Sequence, residues 1–137
     1  MKNKQTEVDR SAIMRSVRSK DTEPEMAVRR FVHRLGYRFR LHNKSLPGTP
    51  DLVFTRLRKI IFVHGCFWHG HKGCKYYVVP KTRTEWWMNK INGNIENDKK
   101  AIKALKKEGW KIITLWECDL KPNNIVTTLS AVVKKIA

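Results

Sequence analysis

Three of the chain's five histidines, His64, His69 and His71, fall within eight residues. Cys66 and Cys74 are interleaved with them, and Cys118, the third and last cysteine, follows with 43 residues between. Cys66, His71, Cys74 and Cys118 therefore read C-x4-H-x2-C, a long gap, then C. Three thiolates and an imidazole suit one tetrahedral Zn2+, an ion without redox chemistry. The intervening stretch is glycine-rich and aperiodic, so a metal staple would give it a reason to be ordered. The plainer alternative is three separately buried small hydrophobes. A filled four-ligand set leaves no open position, so this ion would hold structure and not activate water.

A second group could cut phosphodiesters. Asp51 follows Pro50 at the start of an apolar run, Leu52-Val53-Phe54. A carboxylate at a strand end can hold one or two Mg2+ ions that stabilise attacking and leaving oxygens. His64 or His69 could take the proton of an attacking water. Asp98, in Asn94-Ile95-Glu96-Asn97-Asp98, could orient such a histidine, or could simply lie on a solvated helix face. Phe67-Trp68 is embedded between Cys66 and His69, and Trp86-Trp87 lies next to Arg83 and Lys90. Aromatics among cations stack on bases or wedge between them. Ordinary core packing is the alternative, the more so for one of Trp86 and Trp87, because helix neighbours point about 100° apart.

These residues need a scaffold. Thr22-Glu23-Pro24-Glu25 has the form of a capping box, with Val28, Phe31, Val32 and Leu35 following at helical spacing to Gly36. Tyr37, Phe39 and Leu41 alternate with Arg38, Arg40 and His42, which predicts a strand with a basic face. Residues 51–54 and 60–63 predict two strands about a tight turn at residues 56–59. Residues 64–82 lack periodicity. Residues 84–105 predict a helix broken or kinked near Gly93, and residues 110–116 a further strand. Pro122 would open a last helix facing the core with Ile125, Leu129, Val132, Val133 and Ile136. The order predicts an α/β fold, a small mixed sheet flanked by helices. Residues 1–20 read as an arm or short helix and residues 21–137 as one domain.

The chain has 137 residues with 29 Lys and Arg against 12 Asp and Glu, a formal charge of +17. The excess is spread: +7 over residues 1–46, +4 over 47–80 and +6 over 81–137. Spread charge suits a body that grips a polyanion from several sides, nucleic acid first and an anionic membrane second. Five Trp and 41% hydrophobic residues argue against wholesale disorder. The polar N-terminus and the shortness of the longest aliphatic run, Ile60-Ile61-Phe62-Val63, predict neither a signal peptide nor a membrane span. A cytoplasmic protein with no membrane partner is expected.

Leu46-Pro47-Gly48-Thr49-Pro50-Asp51, Ile61-Phe62-Val63-His64-Gly65-Cys66-Phe67-Trp68-His69, Thr82-Arg83-Thr84-Glu85-Trp86-Trp87 and Trp116-Glu117-Cys118 closely resemble the very short patch repair (Vsr) endonucleases. The resemblance runs from about Arg10 to Asp119. It implies a restriction-endonuclease-like fold and a Mg2+-dependent nick in one strand, 5′ of the thymine in a T:G mismatch left by deamination of 5-methylcytosine. It implies that Asp51 and the Val63 carbonyl hold Mg2+ and that His69 activates water, oriented by Asp98. His64 and Glu25 would assist at the phosphate and at metal-bound water. Cys66, His71, Cys74 and Cys118 would hold the structural zinc. Phe67, Trp68 and Trp87 would wedge in from the major groove, Met14 and Val17 would enter from the minor groove, and Lys90 and Asn94 would contact the mismatched bases. It further implies a monomer in the bacterial nucleoid, linked to a cytosine methyltransferase and to downstream repair proteins. Phe62 and His64 stand where common restriction enzymes carry an acid and a lysine, and Val63 where a threonine is familiar. The zinc loop is one residue longer than the familiar form. Two other functions fit the composition: a zinc-stabilised DNA-binding module without catalysis, and a restriction-type nuclease cutting matched duplex.

Overall fold

Residues 22–137 are described in a computed structural model of the chain. The expected arm over residues 1–20, with Met14 and Val17, lies outside the described residues. Helix α1 (Glu23–Arg34) starts as its cap predicts, with the Thr22 hydroxyl accepting from the Glu25 N–H at 3.4 Å. It closes with two bonds of a Schellman motif: Gly36 N–H to the His33 carbonyl and Tyr37 N–H to the Val32 carbonyl. Then come β1 (Arg40–Leu41), β2 (Leu52–Phe54) and β3 (Lys59–His64). Helix α2 (Thr84–Lys107), β4 (Lys111–Trp116), a 3-10 turn (Glu117–Leu120) and α3 (Ile125–Ile136) complete the order.

The sheet runs β1-β2-β3-β4, antiparallel at the first two junctions and parallel between β3 and β4. A parallel pair needs a crossover, and α2 provides it. Strand alternation sorts the side chains onto two faces. Leu52, Phe54, Ile61, Ile113 and Leu115 pack with Val28 and Val32 of α1 and Val132 and Ile136 of α3. Val53, Ile60 and Phe62 face Leu105 of α2 and Trp110. The fold is thus the expected α/β architecture, a mixed sheet between helices.

Three local expectations are corrected. The strand over residues 37–41 shortens to Arg40–Leu41. Tyr37 and Phe39 do turn inward, edge-on to Phe54 at 6.1 and 5.9 Å, but β2 is only three residues long and His42 turns the chain at φ 45. Helix α2 does not break at Gly93 and is continuous over 24 residues. A helical glycine costs about 1 kcal/mol, whereas burying Trp87, Ile91 and Leu105 along the same helix gains about 1.5–3 kcal/mol each. The last helix starts at Ile125, after a turn that holds Pro122. Val132 and Ile136 are its buried residues, Ile125 and Leu129 pack at the margin, and Val133 is half-buried.

Candidate active site and metal centre

The N-terminal half of α2 carries the irregular insert. Phe67, Trp87 and Ile91 form a third core cluster, with Trp68, Tyr77, Val79 and Ile95 against it. Gly70 lets the insert lie on the helix. Its φ is +61, and a Cβ there would sit 2.6 Å from Ile95 Cδ1 and 2.9 Å from Ile91 Cγ2. This close approach separates His69 from His71 and sends them to different sites.

Cys66, His71, Cys74 and Cys118 converge, with one donor atom from each within 4.8 Å of the others. The Cys118 sulfur lies 3.4 Å from His71 Nδ1, near the edge length of a tetrahedron with Zn–S of about 2.3 Å and Zn–N of about 2.0–2.1 Å. The N–H of Cys118 donates to the Cys66 sulfur at 3.4 Å, and that of Tyr76 to the Cys74 sulfur at 3.5 Å. The His71 ring stacks on Trp116, centroids 4.1 Å apart. Burial pushes the Cys66 thiol far up, so it ionises there only beside a strong positive charge. The four residues could hold a metal ion, and their donors fit zinc.

Asp51 lies just beyond the last registered pair of β2 and β3, Leu52 and Ile61. Its carboxylate accepts the Val63 N–H at 2.7 Å. Gly48 (φ +77) seats the preceding loop against α2, where a Cβ would stand 2.8 Å from Ala101 Cβ. Burial pushes Asp51 up from 3.8 to about 6. The Val63 N–H opposes that rise, and the nearby Glu25 charge adds to it. One donor atom each from Glu25, His42 and Asp51 falls within 4.8 Å. Two carboxylates and an imidazole gathered together, His42 and Asp51 at the cleft and Glu25 buried behind them, suit a divalent cation, so the residues fit the ion that the sequence implies. Val63 lines the same cleft.

In the same cleft as Asp51, His69 Nδ1 and Asp98 Oδ2 are 2.6 Å apart. His64 shares the sheet face of Ile60 and Phe62. Its ring stacks on His69, centroids 3.9 Å apart and planes 6° from parallel. Burial, and then the His69 charge, hold His64 down to about 4, so it is neutral at pH 7. Its buried Nδ1 has no hydrogen-bond partner among the described residues. Asp51, Val63, His64, His69 and Asp98 line one open cleft of about 450 Å3, with Lys44 at its side. A carboxylate centre, a carboxylate-oriented histidine and a neutral histidine can bind a cation, move a proton and meet a phosphate oxygen.

The aromatics divide. Trp87 is 0% exposed and Phe67 is buried, whereas Trp68 is half-buried and Trp86 is 40% exposed. Trp87 touches Phe67, Trp68 and Trp86 at centroid distances of 5.4, 5.6 and 4.7 Å. It is the floor beneath the other rings. Arg83 caps Trp86, its guanidinium 4.8 Å from the ring centroid. Asn94 donates to the Trp68 carbonyl at 2.9 Å, and Lys90 is exposed. Glu25, 2% exposed, meets His42 Nε2 at 2.6 Å and Arg29 at 3.4 Å. Alternation alone hides His42, because it groups the residue with Arg38 and Arg40 on a basic strand face. Its φ of 45 breaks that pattern, and only the fold brings Glu25, 17 residues away, to its ring.

Comparison with known proteins bears on the same residues. The family described as "DNA mismatch endonuclease Vsr" matches residues 2–75. The type II nicking enzyme V.XorIIP of Xanthomonas oryzae is 52% identical over 111 residues, covering 81% of each chain. The type II nicking enzyme V.NmeAIP of Neisseria meningitidis is 43% identical over 112 residues, 82% of this chain and 79% of its own. DNA mismatch endonuclease Vsr of Escherichia coli is 42% identical over 118 residues, 86% of this chain and 75% of its own. No helix among the described residues is long and apolar enough to cross a membrane. The family match takes in Asp51, His64 and His69 along with the start of the cysteine cluster, and the chain belongs to the Vsr family of DNA mismatch endonucleases.

Proposed function

We propose that the chain is a Mg2+-dependent, strand-specific endonuclease that nicks 5′ of the thymine in a T:G mismatch. The observation that carries this is the His69–Asp98 pair at 2.6 Å, which lines one cleft together with Asp51. A bound Mg2+ would supply charge stabilisation at the phosphodiester. Asp51 and the Val63 carbonyl would hold it, with Glu25 at its outer side. Asp98 fixes the His69 ring by its Nδ1, leaving Nε2 to take a proton from water. Neutral His64, with its Nδ1 unsatisfied, is suited to a phosphate oxygen or an ion-bound water.

Phe67 and Trp68 would wedge into the major groove over the floor made by Trp87, and Met14 and Val17 would approach from the minor groove. Unstacking costs a few kcal/mol per step, and less at a wobble pair, so wedging itself favours mismatches. Lys90 and Asn94 would contact the mismatched bases, while the +17 charge supplies affinity without sequence information. A structural zinc at Cys66, His71, Cys74 and Cys118 would keep the wedge loop in place. The enzyme would act as a monomer, alongside a cytosine methyltransferase and downstream repair proteins.

The test is a nicking gel on T:G and matched T:A duplexes with Mg2+, for wild type and Asp51→Ala. One-strand cuts confined to T:G, lost in the variant while binding persists, are expected. Double-strand breaks in matched DNA, or equal nicking by Asp51→Ala, would overturn the reading.

A further inference from the structure

We propose that Glu25, His42 and Asp51 together form a divalent-ion site with an imidazole ligand, which favours Mn2+ over Mg2+ more than carboxylates alone would. The proposal rests on Asp51 as the ion-binding centre and deepens that reading. An octahedral ion with bonds of about 2.1 Å spans about 4.2 Å between opposite ligands. The three donor atoms all lie within 4.8 Å of one another, and His42 Nε2 and Glu25 Oε2, hydrogen-bonded at 2.6 Å, would part slightly to become neighbouring ligands.

His42 is fixed beside Asp51 by the backbone. Its N–H donates to the Asp51 carbonyl at 3.1 Å, and the Asn43 N–H donates to the Pro50 carbonyl at 3.3 Å. The left-handed φ of 45 is uncommon for a residue with a Cβ, and such residues gather at functional sites. It occurs where the ring reaches the buried Glu25, with Nε2 and Oε2 at 2.6 Å. Glu25 is 2% exposed and Asp51 is half-buried, so two carboxylates stand beside one imidazole with little water around them. Arg29 Nη1 also meets Glu25, at 3.4 Å. A cation between the carboxylates and the imidazole would replace the hydrogen bond and balance both charges.

The ligand set decides which cation gains. Mg2+ prefers oxygen and keeps its waters, whereas imidazole binding strengthens along the transition series from Mn2+ onward. His42 therefore adds little for Mg2+ and more for Mn2+.

The experiment uses the full chain with its zinc retained. Mn2+ and Mg2+ are titrated by calorimetry into wild type and His42→Gln, and bound Mn2+ is read by pulsed EPR. We expect His42→Gln to weaken Mn2+ about tenfold and Mg2+ less than about twofold, and to remove a nitrogen coupling seen in wild type. Equal losses for both ions, or a nitrogen coupling that survives the substitution, overturns the proposal. If His42→Gln does not fold, wild type labelled with 15N-histidine still decides. A coupling unchanged by the label refutes imidazole ligation, and a changed one supports it. Nicking of T:G duplex by wild type in Mg2+ reports the underlying reading separately. Retained nicking with unaltered ion selectivity refutes the role of His42 alone.

Discussion

Replacing Asp51 by Asn should make the Mg2+-free protein more stable at pH 8 even as it ends nicking. Burial pushes the Asp51 carboxyl from 3.8 to about 6, so the folded state holds its proton more tightly than the unfolded chain does. Between those values the native protein binds more protons, and stability falls as pH rises. The deficit is complete above about pH 6 and absent below about pH 4. At about 1.4 kcal/mol per pH unit, the interval from 3.8 to about 6 corresponds to about 3 kcal/mol. Asp51 opens onto the cleft, and solvent screening there brings the figure to about 1–3 kcal/mol. Asn keeps an oxygen for the Val63 N–H, now 2.7 Å from Asp51, and carries no charge. Urea unfolding at pH 8 and pH 4, without Mg2+ and without a chelator that would strip the cysteine cluster, measures the difference. The variant should exceed wild type at pH 8 and match it at pH 4, and added Mg2+ should stabilise wild type alone. A variant less stable by the same amount at both pH values would refute the desolvated-carboxylate account.

His69→Ala should slow single-turnover nicking by about 10²–10⁴-fold, and Asp98→Asn by a smaller factor, with DNA binding unchanged. Wild-type cutting by Asp98→Asn would show that the 2.6 Å contact orients nothing of consequence. Trp68→Ala should erode the preference for T:G over T:A in a binding titration more than it lowers overall affinity. Uniform weakening on both duplexes would instead make Trp68 a packing residue. Metal analysis of wild type should find about one zinc per chain, and Cys74→Ser should lose it and unfold at lower urea. Full zinc content with an unmoved midpoint would defeat the four-ligand assignment.

The elements with strong periodicity were legible, and the candidates Asp51, His64 and His69 do line one cleft. The α1 cap at Thr22, the apolar runs of β2 and β3 and the β4 strand follow directly from residue pattern. Gly93 misleads because a propensity is local and cheap, whereas the burial that keeps α2 straight is spread along the helix. Asp98 carried a signal that spacing alone can read. It stands on the stripe of Ile91, Ile95, Ile102 and Leu105, so a carboxylate there faces inward and needs a partner. His42 gave no such signal, because its role depends on a backbone turn and on a helix distant in sequence. Trp86 and Trp87 are adjacent and identical in type. Only the packing says that Trp87 is floor and Trp86 is surface.

Helix α2 is one unbroken rod that carries the floor of the aromatic loop at Trp87 and the histidine's partner at Asp98. Its far end is anchored in the core at Leu105. At about 1.5 Å of rise per residue, Asp98 lies roughly 10 Å from that anchor and Trp87 roughly 27 Å from it. A rod tilting about Leu105 moves its tip roughly two and a half times as far as its middle. Any such tilt would be coarse at the aromatic loop and fine at the His69–Asp98 pair.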